Sequence, residues 1–461
     1  MTSSVSPSPT ILLSHLPPKT FVGIDLITFT STPNFHGIRD LPSGWHFLYT
    51  GTTESLSLRS GGWFYVGDLS TLGSHQDGAI IPAPTSADII IWKWNTDTEA
   101  LSPLTANSDT DQQEAVRHKA NLGAIWQRGG LFRYCGRVSP AALSQQNSGR
   151  PVQYEIDEED EAEGRQTWKD LTDQLTPGLL TRVVGDPVLD VDSRPRWMVT
   201  SASSALRDND VIPGITDTEA AEELEKVTGE KESEFSFLPV DLKRTWREGA
   251  IGRERTEAAQ DRSWALGDLV QRFSEAGGER VGEAQVLGEL QFTFLMILTL
   301  MNYSCLQQWK RLLELVLTCR SAIRDREMLV SGVLRLLLLQ LKRCDDVEGG
   351  LFDLDGEEGG EFLRKLLIKF RRSLYEIADG AESVVKAEFD KLEAWVKEEY
   401  DWELNREVVV RRGMVQLEDG EQVELDMHDD DEDDELGEYA PMVVDLGGNP
   451  AEDHVDSTEE D

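Results

Sequence analysis

Residues able to do chemistry are present in this sequence but scattered. Seven histidines (His15, His36, His46, His75, His118, His428 and His454) are spread along 461 residues. No two stand four apart, the spacing that puts a pair of metal ligands on one helix face. GxxxxGK[ST], GxGxxG after a strand, HExxH and GxSxG do not occur, so phosphate cradling, dinucleotide binding, zinc proteolysis and serine hydrolysis lack their spacing. Aspartate and glutamate together number 85, too many for any one pair to signal acid–base work. His46, in "GWHFLY", reads as a strand histidine hydrogen-bonded to backbone at a sheet rim, against a competing catalytic role. The acidic surroundings of His428 would hold divalent ions only diffusely. Lys243, Arg244, Arg247, Arg253 and Arg255, with Trp246 among them, read as a solvated face offsetting nearby carboxylates; contact with phosphate or an acidic partner is the competing use. No enzyme is expected, and no catalytic residue, cofactor or metal.

Bulk charge narrows the class further. The net charge is −40 with 39% hydrophobic residues. Such a field repels nucleic-acid backbone, so no direct nucleic-acid binding is expected unless a local basic patch works against it. A basic protein partner fits better. Cys135, Cys305, Cys319 and Cys344 are widely spaced without a CxxC pair, which reads as free thiols in cytosol or nucleus. The opening "MTSSVSPSPT" has no positive n-region, so no signal peptide is expected.

The elements that must position any site fall into an α+β pattern. Residues 9–95 carry short β-branched and aromatic runs, "TILLSHL", "FVGIDLITF", "WHFLYT", "GGWFYV" and "ADIIIWKW", between Pro, Gly, Asn and Ser clusters. Five or more strands at this spacing predict a sandwich or small barrel-like sheet. Residues 110–140 and 166–183 predict a few helices, and the acidic Tyr154–Gly164 between them predicts a solvated loop. The β-rich N-terminal domain is thus 1–185. Periodicity fades over 186–234, predicting a linker with one short helix near Glu219–Val227.

An all-α bundle follows over 235–405. Trp309, Leu312, Leu313, Val316 and Leu317 form an i, i+3, i+4, i+7, i+8 stripe. Phe362, Leu363, Leu366, Leu367 and Phe370 repeat it, and Val385, Phe389, Leu392 and Val396 continue it. Trp264 and Trp309 are read as core. Met328–Leu341 is apolar nearly all round, the signature of a central bundle helix, and Asp345–Gly360 predicts a flexible loop. Residues 406–461 form an acidic tail, without Lys or Arg after Arg412 and carrying about half of the net charge. Like charges in blocks repel, so disorder is expected, apart from a strand-like apolar island at 439–446.

The uncharged run "LQFTFLMILTLMNYSCLQQW" between Glu289 and Lys310 is as long as a membrane span. Gln291, Thr293, Asn302, Ser304, Gln307 and Gln308 interrupt it, and Asn302-Tyr303-Ser304 reads as a turn or helix start. Two helices, Gly282–Met301 and Ser304–Ile323, packed as an antiparallel hairpin with the first nearly buried, are predicted instead. No membrane association is expected.

Two segments resemble a known family. "FVGIDLITFTSTPNFHGIRDLPSGWHFLY" (Phe21–Tyr49) is similar to an F-x-G-I-D … F-x-G-[IV] … P-x-G-x-H-F-L pattern, filled by Phe21, Gly23, Ile24, Asp25, Phe35, Gly37, Ile38, Pro42, Gly44, His46 and Phe47. "VLGELQFTFLMILTLMNYSCLQQWKRLLELV" (Val286–Val316) is similar to V-L-G-E-L-Q-F-x-F followed by W-K-R-L-L. Shorter echoes are "FSFLP" (Phe235–Pro239) and "YAPMVVDL" (Tyr439–Leu446). These patterns are those of the A1-cistron splicing factor family. The sequence departs from it in "LPPKT" before Phe21, a long 186–234 stretch, an insertion at Asp345–Gly360 and a more acidic tail. The resemblance implies a non-enzymatic assembly factor of the U5 small nuclear ribonucleoprotein, acting in cytoplasm and nucleus. It further implies binding to the large U5 scaffold protein, at its RNase-H-like and MPN-type domains, before the U5 helicase binds.

Within that reading, Met442, Val443, Val444 and Leu446 either add a strand to a client sheet edge or are a chance apolar run. Ser233, Ser457 and Thr458 stand in acidic context as candidate phosphorylation sites, where added charge would repel rather than order. The chain is expected to act as a monomer. The competing class is an acidic chaperone of basic nuclear proteins such as histones, in which the tail would dominate affinity.

Overall fold

The computed structural model describes residues 8–53, 58–69, 88–135, 158–205, 234–274, 278–344, 359–377, 383–405, 411–416 and 422–427. Up to Trp402 they belong to one compact unit; Glu403 onward forms a second. The first unit begins with β1 (Thr10–Ser14), β2 (Phe21–Ile24), β3 (Ile27–Thr30), β4 (Gly37–Arg39), β5 (Gly44–Gly51), β6 (Arg59–Val66), β7 (Ile89–Asn95) and β8 (Ala100–Pro103). It continues with α1 (Asp109–Gln127), β9 (Leu131–Arg133), α2 (Glu158–Asp170), α3 (Pro177–Val184), β10 (Val188–Leu189) and β11 (Pro195–Thr200). The helical part then runs α4 (Arg253–Gln260), α5 (Ser263–Arg272), α6 (Glu279–Leu300), α7 (Tyr303–Leu317), α8 (Ala322–Asp325), α9 (Glu327–Leu341), α10 (Gly359–Ile377) and α11 (Val384–Tyr400). The second unit holds a hairpin of β12 (Arg411–Gln416) and β13 (Gln422–Met427).

The strands of the first unit form two sheets, ordered β8-β7-β1-β4-β9 and β10-β11-β6-β5-β2-β3. Ile11, Leu13, Ile38, Ile90 and Trp92 from the first meet Val22, Leu48, Phe64 and Val66 from the second in one core. Alternate side chains leave a sheet on opposite faces, so Leu12, Ile91 and Leu131 turn to the other side of the first sheet and pack on Ala115 and Leu122 of α1. The expected sandwich with a few helices and the expected helical half are both present.

Four local expectations need correction. Residues 131–133 are strand rather than helix: α1 stops at Gly129, whose φ of 72° is a left-handed turn that glycine accommodates without a Cβ clash. The acidic stretch 154–164 is not all loop, since α2 begins at Glu158. Glutamate is a good helix former, and Glu161, itself buried, bonds Arg133 of β9 and Arg165. The stretch 186–234 is not all linker. Trp197 pairs with Trp63 across β11 and β6, and both rings are fully buried; the pattern "RPRWMVT" alternates, but Pro195 disguised it as part of a linker. The tail is not featureless: "QVELDM" alternates polar and apolar residues, and with β12 it forms the hairpin. The short helix expected near Glu219–Val227 and residues 345–358 of the Asp345–Gly360 loop lie outside the described residues.

The helical stripes land as expected. Trp309, Leu312, Leu313, Val316 and Leu317 are buried, as are Leu363, Leu366, Leu367, Phe370, Val385, Phe389, Leu392 and Val396. Trp264 is only half-buried, and Met328 is exposed at the start of α9. α6 is long and apolar enough to span a membrane by length and composition, yet most of it is buried inside the protein. Met301 in the left-handed conformation ends it, and the Asn302 side chain accepts the Cys305 N–H to start α7, a C-cap and an N-cap in adjacent residues. All four cysteines are free.

Because Trp197 fills the space beside Trp63, Trp197→Ala should destabilise the first unit by about 3–5 kcal/mol, measured as a loss of urea-unfolding free energy. A change below about 1 kcal/mol would return β11 to the linker.

Candidate functional site

Most residues of the two family-like patterns are buried in the interior. Those of the first gather around Asp25, which follows β2 in a left-handed backbone conformation (φ 56°). Its Oδ1 accepts the Phe47 N–H (2.9 Å), while Oδ2 accepts the Tyr134 hydroxyl (2.6 Å) and meets His46 Nδ1 at 2.8 Å. His46 Nε2 donates to the Pro42 carbonyl at 2.9 Å. The Pro42 carbonyl can only accept, so Nε2 carries a proton; facing a carboxylate, Nδ1 donates as well, the arrangement an imidazolium makes. Burial lowers the His46 pKa, but the Asp25 charge and its hydrogen bond, with that of Pro42, outweigh it and raise the value above the ordinary one. Burial, with Asp25 beside it, holds the Tyr134 phenol far above its own ordinary value.

His46 therefore meets a carboxylate as well as backbone, and it is 1% exposed. Asp25 and Tyr134 are buried with it, so a substrate has no approach. The network ties β2, β5, the Pro42 turn and the end of β9 together. Tyr134 was not legible as a partner, since nothing in its local sequence marks it.

The second pattern builds a seam between the sheets and the helices. Glu289 on α6 is fully buried. Its carboxylate meets Arg182 Nη1 of α3 at 2.7 Å, accepts the Leu238 N–H at 2.9 and 3.1 Å, and accepts Gln308 Nε2 of α7 at 2.8 Å. Burial pushes the Glu289 carboxyl above its ordinary value, with Arg182, the Leu238 N–H and Gln308 acting against that rise. Two residues further along α6, Gln291 accepts the Gln174 N–H (2.9 Å) and donates to the Asp170 carbonyl (3.0 Å) and Asp173 Oδ1 (2.6 Å). A Cβ on Gly288 would lie 2.4 Å from Leu179 and 2.8 Å from the Gln174 carbonyl, so only glycine permits this approach of α6 to α3. Phe292 packs against Trp63 of β6 and Phe235 of the "FSFLP" segment.

Further bonds extend the seam in both directions. Arg59 donates to the Thr299 carbonyl (2.9 Å) and Asn302 to the Ser203 carbonyl (2.8 Å). Trp45 donates to the Leu175 carbonyl, and Trp168 to that of Trp45. The uncharged run that resembled a membrane span is thus the inner wall of the joint.

Family models described as the AAR2 N-terminal domain and the AAR2 C-terminal repeat region match residues 7–185 and 237–405. The chain belongs to the AAR2 family. Relatives named "Protein AAR2 homolog" resemble it along most of their length. The Homo sapiens protein is 25% identical over 401 residues, 86% of this chain and 90% of its own. That of Mus musculus is 24% identical over 409 residues, with the same shares. That of Caenorhabditis elegans is 21% identical over 413 residues, 86% of this chain and 94% of its own. The role of this AAR2 family protein is in assembly of the U5 small nuclear ribonucleoprotein.

The remaining candidates divide in two. Met442, Val443, Val444, Leu446, Ser233, Ser457 and Thr458 lie outside the described residues. In the basic patch, Arg255 stacks on Trp246 and bonds the Ala250 carbonyl, and Arg253 pairs with Glu257; the carboxylate-offset reading holds for Arg253. The sequence reading missed Arg182 and the acceptors on Asp170 and Asp173, because a buried partner is chosen by packing rather than by local pattern.

Two outcomes follow. Glu289→Ala removes the acceptor that the Leu238 N–H, Gln308 and Arg182 meet in the interior and should cost about 3–5 kcal/mol, with Glu289→Gln recovering part, both read by urea unfolding. Because the folded His46 pKa is raised, its stabilisation is full below about pH 6.5 and is lost as pH rises through the folded value. The deficit of His46→Gln should therefore be largest in mild acid and shrink in alkali; a deficit that grows with pH would mean a neutral ring.

Proposed function

We propose that this AAR2 family protein is a non-enzymatic maturation factor that holds the large U5 scaffold protein, at its RNase-H-like and MPN-type domains, and delays helicase binding. It works as a monomer in cytoplasm and nucleus, without a cofactor and without direct nucleic-acid contact. The observation that carries this reading is the seam: buried residues of the second family-like pattern are spent on fixing the β-rich and helical halves together. A rigid two-part body presents two surfaces at a set spacing, and a client that matches both gains effective concentration for the second contact. Among the described residues no cluster of His, Cys, Asp or Glu could hold a metal ion.

Holding without ATP demands preference for the immature client. Met442, Val443, Val444 and Leu446 would supply a strand to a client sheet edge, backbone bonds giving affinity and alternate side chains specificity. The acidic flanks would hasten encounter with a basic client surface, so association should slow as salt rises. Phosphate on Ser233, Ser457 or Thr458 would weaken the grip by repulsion among carboxylates.

A tagged full-length chain, recovered from native extract at moderate salt, should bring down the U5 scaffold protein without the mature helicase. Recovery of histones alone would favour the acidic-chaperone class. Deleting Tyr439–Leu446 should weaken scaffold binding by roughly a hundredfold; unchanged affinity would show the island to be a chance apolar run.

A further inference from the structure

β9 is an edge strand. It pairs with β4 on one side, and among the described residues no strand pairs with the other. The Tyr134 N–H donates to the Arg39 carbonyl, and the Gly130 carbonyl accepts the His36 N–H, so even-numbered backbone groups face β4. Backbone direction alternates along a strand, which turns the Leu131 and Arg133 groups outward to the open edge.

The two faces beside this edge differ in chemistry. Phe132 points between the sheets, where its ring lies 5.0 Å from Phe35 and 6.2 Å from Phe29 of β3. β3 is the edge of the other sheet, so the sandwich is open here, and Phe132 remains 37% exposed. Arg133 points to the opposite face, in register beside Arg39, whose guanidinium stacks 5.4 Å from the Trp126 ring. Arg128 stands exposed at the end of α1. The local carboxylates are Asp40, paired with Arg39, and Glu161, 3.4 Å from Arg133. From Ala115 to Tyr154 the chain has no Asp or Glu, although 85 occur in 461 residues. An uninterrupted acid-free stretch in so acidic a protein is a local reversal of its field.

We propose that the outer edge of β9 docks an extended partner segment in which apolar and acidic residues alternate. Strand pairing supplies main-chain bonds at Leu131 and Arg133. Alternate side chains then fall on opposite faces: apolar ones against Phe132 and Phe29, acidic ones toward Arg133 and Arg128. A peptide rather than RNA is the occupant, because the open groups are a strand's own N–H and C=O, which a base or phosphate does not satisfy in register. This proposal does not depend on the U5 reading.

The test uses the full chain and a fluorescent peptide of alternating valine and glutamate, read by anisotropy, with hydrogen exchange as the second readout. The peptide should bind, the Leu131 and Arg133 amides should gain protection, and Phe132→Ser or Arg128→Glu should each weaken binding about tenfold, Arg128→Glu with unchanged melting. A valine–lysine peptide should not bind. Absence of binding by the intact chain would overturn the proposal. So would oligoglutamate or oligouridylate binding as tightly, which would reduce the face to a charge patch or make it a nucleic-acid site. Binding without protection at Leu131 and Arg133 would overturn strand addition.

Discussion

A carboxylate buried where water cannot reach it dictates much of this architecture. Taking Glu289 out of solvent costs several kcal/mol unless its oxygens are met by donors. The chain meets them from three separate places: Arg182 on α3, the Leu238 backbone and Gln308 on α7. No two of these are near in sequence, so satisfying the group requires the β-rich half, the segment between the halves and the helical hairpin to arrive together. The buried charge specifies the joint; the apolar surface of α6 supplies the driving force around it.

The Asp25–His46–Tyr134 network plays the corresponding part inside the β-rich half. Its three residues come from a turn, a central strand and the end of an edge strand, and each polar atom has a partner. The same constellation near solvent would suggest acid–base catalysis. Sealed beneath Phe64, which stacks on the imidazole, it has no reaction to perform. A buried ionic network that restricts which partners can approach is a device for fixing one arrangement, and here that arrangement is the geometry of both sheets.

How far the sequence could be read depended on whether the signal was local. Helical stripes such as Leu312, Val316 and Leu367 were legible because burial of one helix face repeats every three to four residues. The hairpin of α6 and α7 was legible from Asn302-Tyr303-Ser304, which reads as a turn or helix start, and Asn302 does cap α7. β11 was not, because Pro195 at its start imitates a linker while its reason to exist, Trp63 on β6, lies far away in sequence. The start of α2 was not either: its glutamates read as a solvated run until Arg133 gives Glu161 a partner. At the seam, the family-like pattern located Gly288, Glu289 and Gln291 correctly, but their roles needed Leu179, Arg182 and Asp173, which no spacing rule connects to them.

The central claim is that the seam makes one cooperative body of the two halves. Hydrogen exchange followed peptide by peptide through a urea series tests it directly. If the claim holds, the slowest amides of β5 and of α6 will converge on a single global opening free energy and share its urea dependence. Two separate plateaux, with the helices opening while β5 stays protected, would show that the halves are independent domains and that the buried Glu289 joint does not couple them.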